Sequence, residues 1–465
     1  MMMLKSKKRK WLAGILVCAH IFIPANAEEI PGRQAVVDQN AAPEKVRVSL
    51  EQAIHIALSD NPTIIVAGQE IELKKTAKKE ALSGLLPAAE LVGTYSRTLK
   101  KQTMVMDFQG QSTTIKMGTD NSYSGGLSVS LPVFAPALYR SIHLTEADIA
   151  LAVEKSRASK LDLVNQVTKA YYQVLLTQDS YEVLQKSYAQ AEANFNVVNE
   201  KYKLGSVSEY DKIRADVQVR SLKPNVVSAR NGINLARLQL KVLMGLDKDT
   251  EIEIEGNLKD YEVEVYERQI ASGSLDITNN SDLKQLDLNV DLLKKNLRLQ
   301  KTNFMPVLGA MYSYQYTSLG DGSPFRNFNW NPYSYIGLNL SIPLFKGSNF
   351  TKMRQVKIQM EQLNETRIHT ERMLYMQMSS YLDNMSASSE QVASNRESIF
   401  QAEKGRMIAR KRYEVGKGTI LELNDSEVAL TQAQLTYNQS IYDYLVAKSD
   451  LEKVLGRDDN NYGNK

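Results

Sequence analysis

The chain has 465 residues, with 57 Lys and Arg against 53 Asp and Glu, four His and one Cys. A single cysteine excludes a disulfide framework and a cysteine-ligated metal centre. The near balance of charge gives no electrostatic footprint for nucleic-acid binding.

The chain begins with the pattern of a secretory signal peptide. A cluster of lysine and arginine at residues 5–10 precedes the apolar run Trp11–Ile23 and the small residues Ala25 and Ala27. We predict cleavage after Ala27, which removes residues 1–27. The alternative is cleavage before Cys18 and lipidation of that cysteine, although the residues just before it are not the small ones that such a site prefers.

After residues 28–48, predicted to form an N-terminal collar, the chain repeats itself. The segment Leu127–Phe134 matches Leu338–Phe345, and Tyr202–Gly205 matches Tyr413–Gly416, both at an offset of 211 residues. A fixed offset between separate landmarks predicts an internal duplication. The predicted parts are a first repeat at 49–245, an equatorial connecting segment at 246–281, a second repeat at 282–456 and a disordered tail at 457–465.

Each repeat is predicted to contain a helix, two strands, a long helix, a turn and a further helix. Residues 123–131 and 336–342 alternate apolar with small polar side chains, which is typical of a strand with one apolar face. Prolines mark the expected helix–strand junctions, because proline lacks a backbone donor and disfavours helix before it. These junction prolines are Pro87, Pro132, Pro306 and Pro343.

The long helices are predicted at about 137–202 and 348–413, each close to 100 Å long at the helical rise per residue. Residues 161, 164, 168, 171 and 175 follow the spacing of a coiled-coil seam. Shorter helices at about 49–82 and 209–243 would stack end to end beside a long helix, as would those at about 282–301 and 420–455. Pro224 predicts a kink or restart in one of them.

The apolar strand face has two interpretations, since it would contact either a protein core or lipid. A set of aromatic residues near the strand ends fits an interfacial girdle, but tyrosine also favours strands in general. This set is Tyr312, Tyr314, Tyr316, Trp330, Tyr333 and Tyr335. Four strands cannot close a membrane barrel, so the lipid interpretation requires strands pooled between copies of the chain.

The duplicated strand–strand–long-helix unit, the Leu-Pro-Val-Phe and Ile-Pro-Leu-Phe junctions and the Tyr-x-x-Gly turns resemble the TolC-type outer-membrane efflux family over about residues 49–456. The resemblance implies a mainly α fold with β: a long antiparallel α-helical barrel, plus four strands contributed to an oligomeric transmembrane β-barrel. It also implies a homotrimer in outer-membrane lipid with a large periplasmic portion, docked onto a periplasmic adaptor and an inner-membrane pump. We therefore expect a passive channel of a tripartite efflux or type I secretion system.

The resemblance also implies functional residues at the two turns. The adaptor-contact candidates are Leu204, Gly205, Ser206, Val415 and Gly416. The channel-gate candidates are Asp211, Glu422 and Asp425. Acidic residues three apart share a helix face and would favour cations at a constriction, but a solvated helix surface explains them equally. The family often places an arginine near the tip, at the position where this chain has Gly418, so the chain departs from the family's pattern there.

Other functions are less well supported by the sequence. We find no catalytic or phosphate-binding motif, and expect no enzyme activity, cofactor or metal site. Methionines at 353–385 suggest soft-metal ligation, but they also fill irregular cores. A periplasmic coiled-coil scaffold or adaptor would explain the long helices and the signal peptide but not the duplicated strands, and a diffusion porin would be mostly strand.

Overall fold

The computed structural model describes residues 46–108, 111–266, 275–325 and 328–457. The predicted signal peptide with Cys18, most of the predicted collar at 28–48 and nearly all of the predicted tail at 457–465 lie outside the described residues.

The first half of the chain forms strands and helices in the order that the repeat predicts, with one additional hairpin. The elements are β1 (Val46–Val48), α1 (Leu50–Asp60), α2 (Pro62–Ser83), β2 (Ala88–Arg97), β3 (Gln102–Phe108), β4 (Gln111–Met117), β5 (Asn121–Phe134), α3 (Pro136–Lys203) and α4 (Glu209–Met244).

The second half begins with a connecting segment and then repeats the pattern without the hairpin. The elements are β6 (Ile252–Ile254), a 3₁₀ turn (Leu258–Tyr261), α5 (Glu262–Tyr266), α6 (Ser281–Thr302), β7 (Val307–Gly320), β8 (Trp330–Ser341), α7 (Gly347–Glu414) and α8 (Ile420–Leu455).

The helix predicted at 49–82 is interrupted, because Asn61 adopts an extended conformation before Pro62. The Asn61 side chain caps α2 by accepting from Thr63 N at 2.7 Å, and its Nδ2 donates to the Leu243 carbonyl at 2.7 Å. Asn280 repeats this arrangement at the start of α6, where its Nδ2 donates to the Val454 carbonyl at 2.9 Å. Two buried asparagines therefore join the short helices end to end in both repeats.

The glycines at these joints are required by the close approach of two chain segments. Gly245 ends α4 with φ of 71°, and Gly456 ends α8 with φ of 61°. A Cβ added to Gly245 would lie 2.6 Å from the Asp60 carbonyl oxygen, and one added to Gly456 would contact the carbonyl of Asn279. Glycine thus allows each helix end to abut the start of the next helix.

The long helices α3 and α7 each contain 68 residues, and α3 provides much of the core. Leu163, Val167, Tyr171 and Val174 are buried, together with the ends of α4 and α8. The predicted seam at 161–175 therefore includes only part of the buried surface of α3, since α3 contacts helices on several sides. A helix surrounded in this way buries more than one narrow stripe.

The connecting segment is fixed to α3 and α8 by specific hydrogen bonds. Tyr171 donates its hydroxyl to the Glu255 carbonyl at 2.6 Å, and Leu258 N donates to Asp179 Oδ2 at 3.0 Å. Lys448 Nζ lies 2.6 Å from Glu264 Oε2. β6 also pairs in parallel with β1. These contacts place residues 252–266 beside the middle of the long helices.

The four longest strands form an antiparallel sheet in the order β2-β5-β7-β8, which leaves β2 and β8 as its edges. β3 and β4 form a separate hairpin between β2 and β5. The repeat does not predict this hairpin, because it has no counterpart in the second half of the chain.

The strand register separates the two faces of the sheet. Paired residues share a face, so Leu127, Tyr314 and Ser334 lie on the same side. On this side Ile336 is 82% exposed and Leu338 is 74% exposed, so the described residues leave the apolar face open to its surroundings. Among the predicted girdle residues, only Tyr312, Tyr314, Tyr316 and Trp330 lie on this face. Tyr333 and Tyr335 lie on the opposite face, among small polar residues.

The prolines occupy different positions at the strand ends. Pro87 and Pro306 immediately precede β2 and β7, and Pro343 follows β8 by two residues. Pro132 instead lies inside β5, at a register shift, and Pro136 is the residue that begins α3. α4 continues through Pro224 without the predicted restart. Across the described ranges, no helix has the length and apolar character needed to cross a bilayer.

Candidate functional site

The first turn connects α3 to α4 and is stabilised at both helix ends. Gly205 has φ of 69°, and Ser206 N donates to the Lys201 carbonyl at 2.8 Å, which closes the end of α3. Ser208 Oγ accepts from Asp211 N at 3.1 Å, and Asp211 Oδ2 accepts from Ser208 N at 3.2 Å. This reciprocal capping box occupies the carboxylate of Asp211, the gate candidate of the first repeat.

The second turn connects α7 to α8 with similar backbone geometry, but its acidic residue, Glu422, contacts a different partner. Gly416 has φ of 70°, and Lys417 N donates to the Arg412 carbonyl at 2.8 Å. Thr419 Oγ1 accepts from Glu422 N at 3.2 Å. The Glu422 carboxylate faces Arg412, with Nη1 3.5 Å from Oε2. The corresponding acids of the two repeats therefore have different partners.

An arginine lies over the second turn, although position 418 itself is glycine, because Arg412 folds back across the turn. Its Nη2 donates to the Lys417 carbonyl at 3.2 Å. A Cβ on Gly418 would lie only 3.0 Å from Arg412 Cβ and 3.1 Å from Tyr413 N. Glycine at 418 thus gives Arg412 the space to fold back over the turn.

A small apolar cluster lies beneath the two turns. Buried side chains from α3, α4 and α8 meet there and are flanked by partly buried residues, including Tyr413 from α7. The buried members are Val198, Ala215, Ile420 and Leu423. Lys201 Nζ lies 4.9 Å from the centre of the Tyr413 ring, a cation–π contact between the two repeats. The cluster therefore holds the turns side by side.

Tyr413 is a polar member of this cluster. Its hydroxyl is buried, and no hydrogen-bond partner for it lies among the described residues. Burial raises the pKa of Tyr413 above its ordinary value, and the charge of Asp211 adds to the effect. The neutral phenol thus lies between the two repeats, near the first gate candidate.

The remaining candidates are exposed at the tip. Leu204 and Val415 present large apolar side chains to solvent, and Gly205, Ser206 and Gly416 are exposed beside them. Glu422 and Asp425 lie on the exposed surface of α8. The structure thus places the five adaptor-contact candidates on the two turns and the gate candidates within the first two helical turns of α4 and α8.

Glu427 is a further titratable residue of this region that the sequence analysis did not identify. Its side chain is 13% exposed, and Oε2 lies 3.7 Å from Arg406 Nη1. Oε1 is buried, with no hydrogen-bond partner among the described residues. Burial raises the pKa of Glu427, against the opposing charges of Arg406 and Arg410. A buried acid on α8 facing basic residues of α7 is not visible in the sequence, because burial depends on the helix packing.

Within the described part of the chain, no cluster of three or more His, Cys, Asp and Glu has the arrangement of a metal site. The methionines of α7 are dispersed. Met385 is buried, whereas Met373 and Met376 are exposed. Their positions fit packing and surface roles on a long helix.

Comparison with known proteins identifies the family. The sequence model for the family described as outer membrane efflux protein matches residues 53–246 and 274–457, which correspond to the two halves of the duplication. The outer membrane protein TolC of Vibrio cholerae serotype O1 is 20% identical over 413 residues, covering 88% of this chain and 90% of that protein. The cobalt-zinc-cadmium resistance protein CzcC of Cupriavidus metallidurans is 21% identical over 421 residues, covering 88% and 90%.

Solved structures share the same fold. The CmeC outer membrane channel of Campylobacter jejuni has a TM-score of 0.69 at 17% identity, covering 88% of this chain and 85% of that chain. A structure of CusC has a TM-score of 0.70 at 17% identity, covering 90% and 95%. These similarities confirm the predicted fold class.

Proposed function

Because this chain belongs to the outer membrane efflux protein family, we propose that it is the outer-membrane channel of a tripartite efflux or type I secretion system and conducts substrates passively. The observation that carries the proposal is the open four-stranded sheet, which has an exposed apolar face and two edges that no other described strand pairs with. In lipid, an unpaired edge leaves backbone donors and acceptors unsatisfied, so such a sheet must close with strands from other copies.

The strand count supports a trimer. A membrane barrel needs about eight strands or more, and three copies with four strands each supply twelve. The four strands have 10 to 14 residues, long enough to cross the hydrocarbon layer at the usual tilt. The edges β2 and β8 would then pair between neighbouring copies.

The helical part supports a conduit that extends away from the membrane. α3 and α7 each span about 100 Å at the ordinary helical rise. Their turns carry Leu204 and Val415, whose large apolar side chains are exposed. We propose that these turns contact the periplasmic adaptor, which connects the channel to an inner-membrane pump.

We further propose that the acids near the second turn gate the tunnel. Glu422 and Asp425 lie three residues apart on α8, and three copies would bring six carboxylates around one opening. Asp211 contributes differently in this proposal, since its carboxylate caps α4. Its role is to fix the first turn beside Tyr413.

The first test is the mass of the complex extracted by detergent from the outer-membrane fraction. We expect about three chains per particle, and ion conductance after reconstitution into a planar bilayer. Recovery of a soluble periplasmic monomer would refute the channel and favour the alternative of a coiled-coil scaffold or adaptor.

The adaptor contact has its own test. Leu204→Asp and Val415→Asp should abolish co-purification of the adaptor encoded with the system while leaving the oligomer intact. Leu99→Asp is the matched control, since Leu99 is equally apolar and exposed but follows the strand end of β2. If Leu99→Asp abolishes co-purification as completely as the turn variants, the turns are not the specific contact.

A further inference from the structure

Two large aromatic side chains stand out on the polar face of the sheet. Tyr333 and Tyr335 of β8 are 54% and 41% exposed, and their ring centres lie 5.6 Å apart. The register connects each to a cross-strand row of mostly small or polar residues. One row contains Val92, Gly126, Gln315 and Tyr333, and the other contains Glu90, Ser128, Ser313 and Tyr335.

The same rows contain an acid. Among the four strands as the structure describes them, the charged residues are Glu90 and Arg97, both on β2. Because Arg97 is an odd number of residues from Glu90, it lies on the apolar side with Tyr95. Glu90 is exposed on the polar side. The polar face therefore carries one negative charge and two exposed tyrosine rings.

We propose that Tyr333, Tyr335 and Glu90 line the lumen of the assembled barrel and bind organic cations that carry aromatic groups as they leave the channel. The inference rests on the proposed function, because the polar face of a membrane barrel faces its lumen. Tyrosine rings attract cations through their faces, and carboxylates in a lumen favour cations over anions.

Assembly brings copies of the acid and the rings into one lumen. Within one chain, Glu90 and Tyr335 are separated by three strand spacings, about 14 Å. β2 and β8 are the two edges of the sheet, so edge-to-edge closure sets β8 of one copy beside β2 of the next. The strands of a closed barrel are staggered along their length, so the carboxylate of the next copy is not level with the rings. The Glu90 carboxylates therefore attract the cation into the lumen, and the tyrosine rings hold it by contact.

The neighbouring residues leave space beside the rings. Ser313, the cross-strand partner of Tyr335 on β7, is small, and Gly337, two residues along β8 on the same face, has no side chain. Tyr333 is paired with the longer Gln315. A flat aromatic cation can therefore reach the Tyr335 ring over Ser313 and Gly337. This predicts selectivity for aromatic cations over small hydrated metal ions.

The test is block of single-channel current by tetraphenylphosphonium, measured with the full-length protein in a planar bilayer. The probe is added to the compartment into which the barrel opens, opposite the long helices. In the double variant Tyr333→Ser/Tyr335→Ser, we expect the half-blocking concentration to rise about tenfold. Glu90→Gln should raise it less, and that increase should diminish at high salt. The matched control is Tyr312→Ser/Tyr314→Ser on the apolar face, which should leave block unchanged.

The outcomes separate this inference from the proposed function. Channels that conduct normally but are blocked equally in the wild type and the Tyr333→Ser/Tyr335→Ser variant overturn the lumenal site and leave the channel function intact. Loss of block in the apolar-face control to the same extent also overturns it, because the faces would then be assigned wrongly. A wild-type protein that gives no conductance at all refutes both.

Discussion

Arg412 Nη1 lies 3.5 Å from Glu422 Oε2 across the second turn, and the same guanidinium donates to the carbonyl of Lys417. Both side chains are about half exposed, so the pair contributes little to the free energy of unfolding. Its effect is local, because it orients one of the proposed gate carboxylates and compensates its charge.

Replacement of this arginine should open the resting channel rather than unfold the protein. In Arg412→Ala, Glu422 loses its compensating charge, and the carboxylates of neighbouring copies repel one another. We expect higher resting conductance, with a change in unfolding free energy below about 1 kcal/mol. Arg410→Ala is the matched control, since Arg410 pairs with Glu414 within α7. Equal conductance of Arg412→Ala and the wild type would refute the role of the pair.

Gly418 should be intolerant of a side chain although it is not buried. Gly418→Ala would place a Cβ 3.0 Å from Arg412 Cβ and 3.1 Å from Tyr413 N, which forces Arg412 away from Glu422. We expect a loss of stability of about 1 kcal/mol and the same rise in conductance as in Arg412→Ala.

The control for this prediction is Gly405→Ala in α7, where nothing lies within 4 Å of the added Cβ. Alanine is the better helix former, so this variant should gain up to about 1 kcal/mol. Thermal unfolding in detergent and bilayer conductance measure the two effects. If both alanine variants behave alike, the space over Gly418 does not matter.

The duplication made much of the fold predictable. The helix predicted at about 137–202 is observed at Pro136–Lys203, and that predicted at about 348–413 is observed at Gly347–Glu414. Such long uninterrupted periods are strong signals, and the glycine turns mark their ends. Agreement between two copies also reduces the ambiguity that a single copy would leave.

The errors concern features that the two copies do not share or that depend on register. The β3–β4 hairpin has no counterpart in the second repeat, so the offset comparison could not reveal it. The helix break at Asn61 follows from the dipeptide Asn61-Pro62, because the residue before a proline is disfavoured in a helix. Tyr333 and Tyr335 have odd residue numbers, whereas Ile336 and Leu338 have even ones. Because side chains alternate between the faces of a strand, alternation alone predicts that the two tyrosines lie on the polar face.

The side-chain contacts at the two turns could not be predicted from the sequence. Arg412 reaches Glu422 only because the chain reverses at Gly416 and leaves space at Gly418. The depth of Glu427 depends on how α8 packs against α7. Pairwise side-chain contacts of this kind depend on packing, which residue spacing does not determine.

The two faces of β8 should respond oppositely to a charge. Leu338→Lys places a cation on the exposed apolar face, whereas Asn339→Lys places it on the polar face of the same strand. A lysine facing the middle of the hydrocarbon layer costs about 2–4 kcal/mol. We expect Leu338→Lys to reduce the oligomer recovered from the outer membrane, and Asn339→Lys to leave its yield unchanged and alter ion selectivity. The reverse pattern would contradict the proposed orientation of the sheet.

Glu427 should make stability depend on pH. Burial raises its pKa above the ordinary value of 4.5. The folded protein therefore holds this proton more tightly than the unfolded chain, and the resulting stability is lost as the pH rises through the raised pKa. Glutamine carries no charge at any pH. We therefore expect the unfolding temperature of Glu427→Gln, measured relative to that of the wild type, to increase between about pH 4 and pH 8.

Glu414 gives a control of opposite sign on the neighbouring helix. Its pKa is lowered, mainly by the hydrogen bond from Lys411, so its contribution is present above the ordinary carboxyl pKa and is lost as the pH falls. The unfolding temperature of Glu414→Gln, relative to that of the wild type, should therefore decrease over the same rise in pH. The decrease should be small because the pair of Glu414 and Lys411 is exposed. If the unfolding temperature of Glu427→Gln, relative to that of the wild type, instead decreases from pH 4 to pH 8, the charge of Arg406 affects the pKa of Glu427 more than burial does. Glu427 then acts as an ion-pair partner that stabilises the contact between α7 and α8.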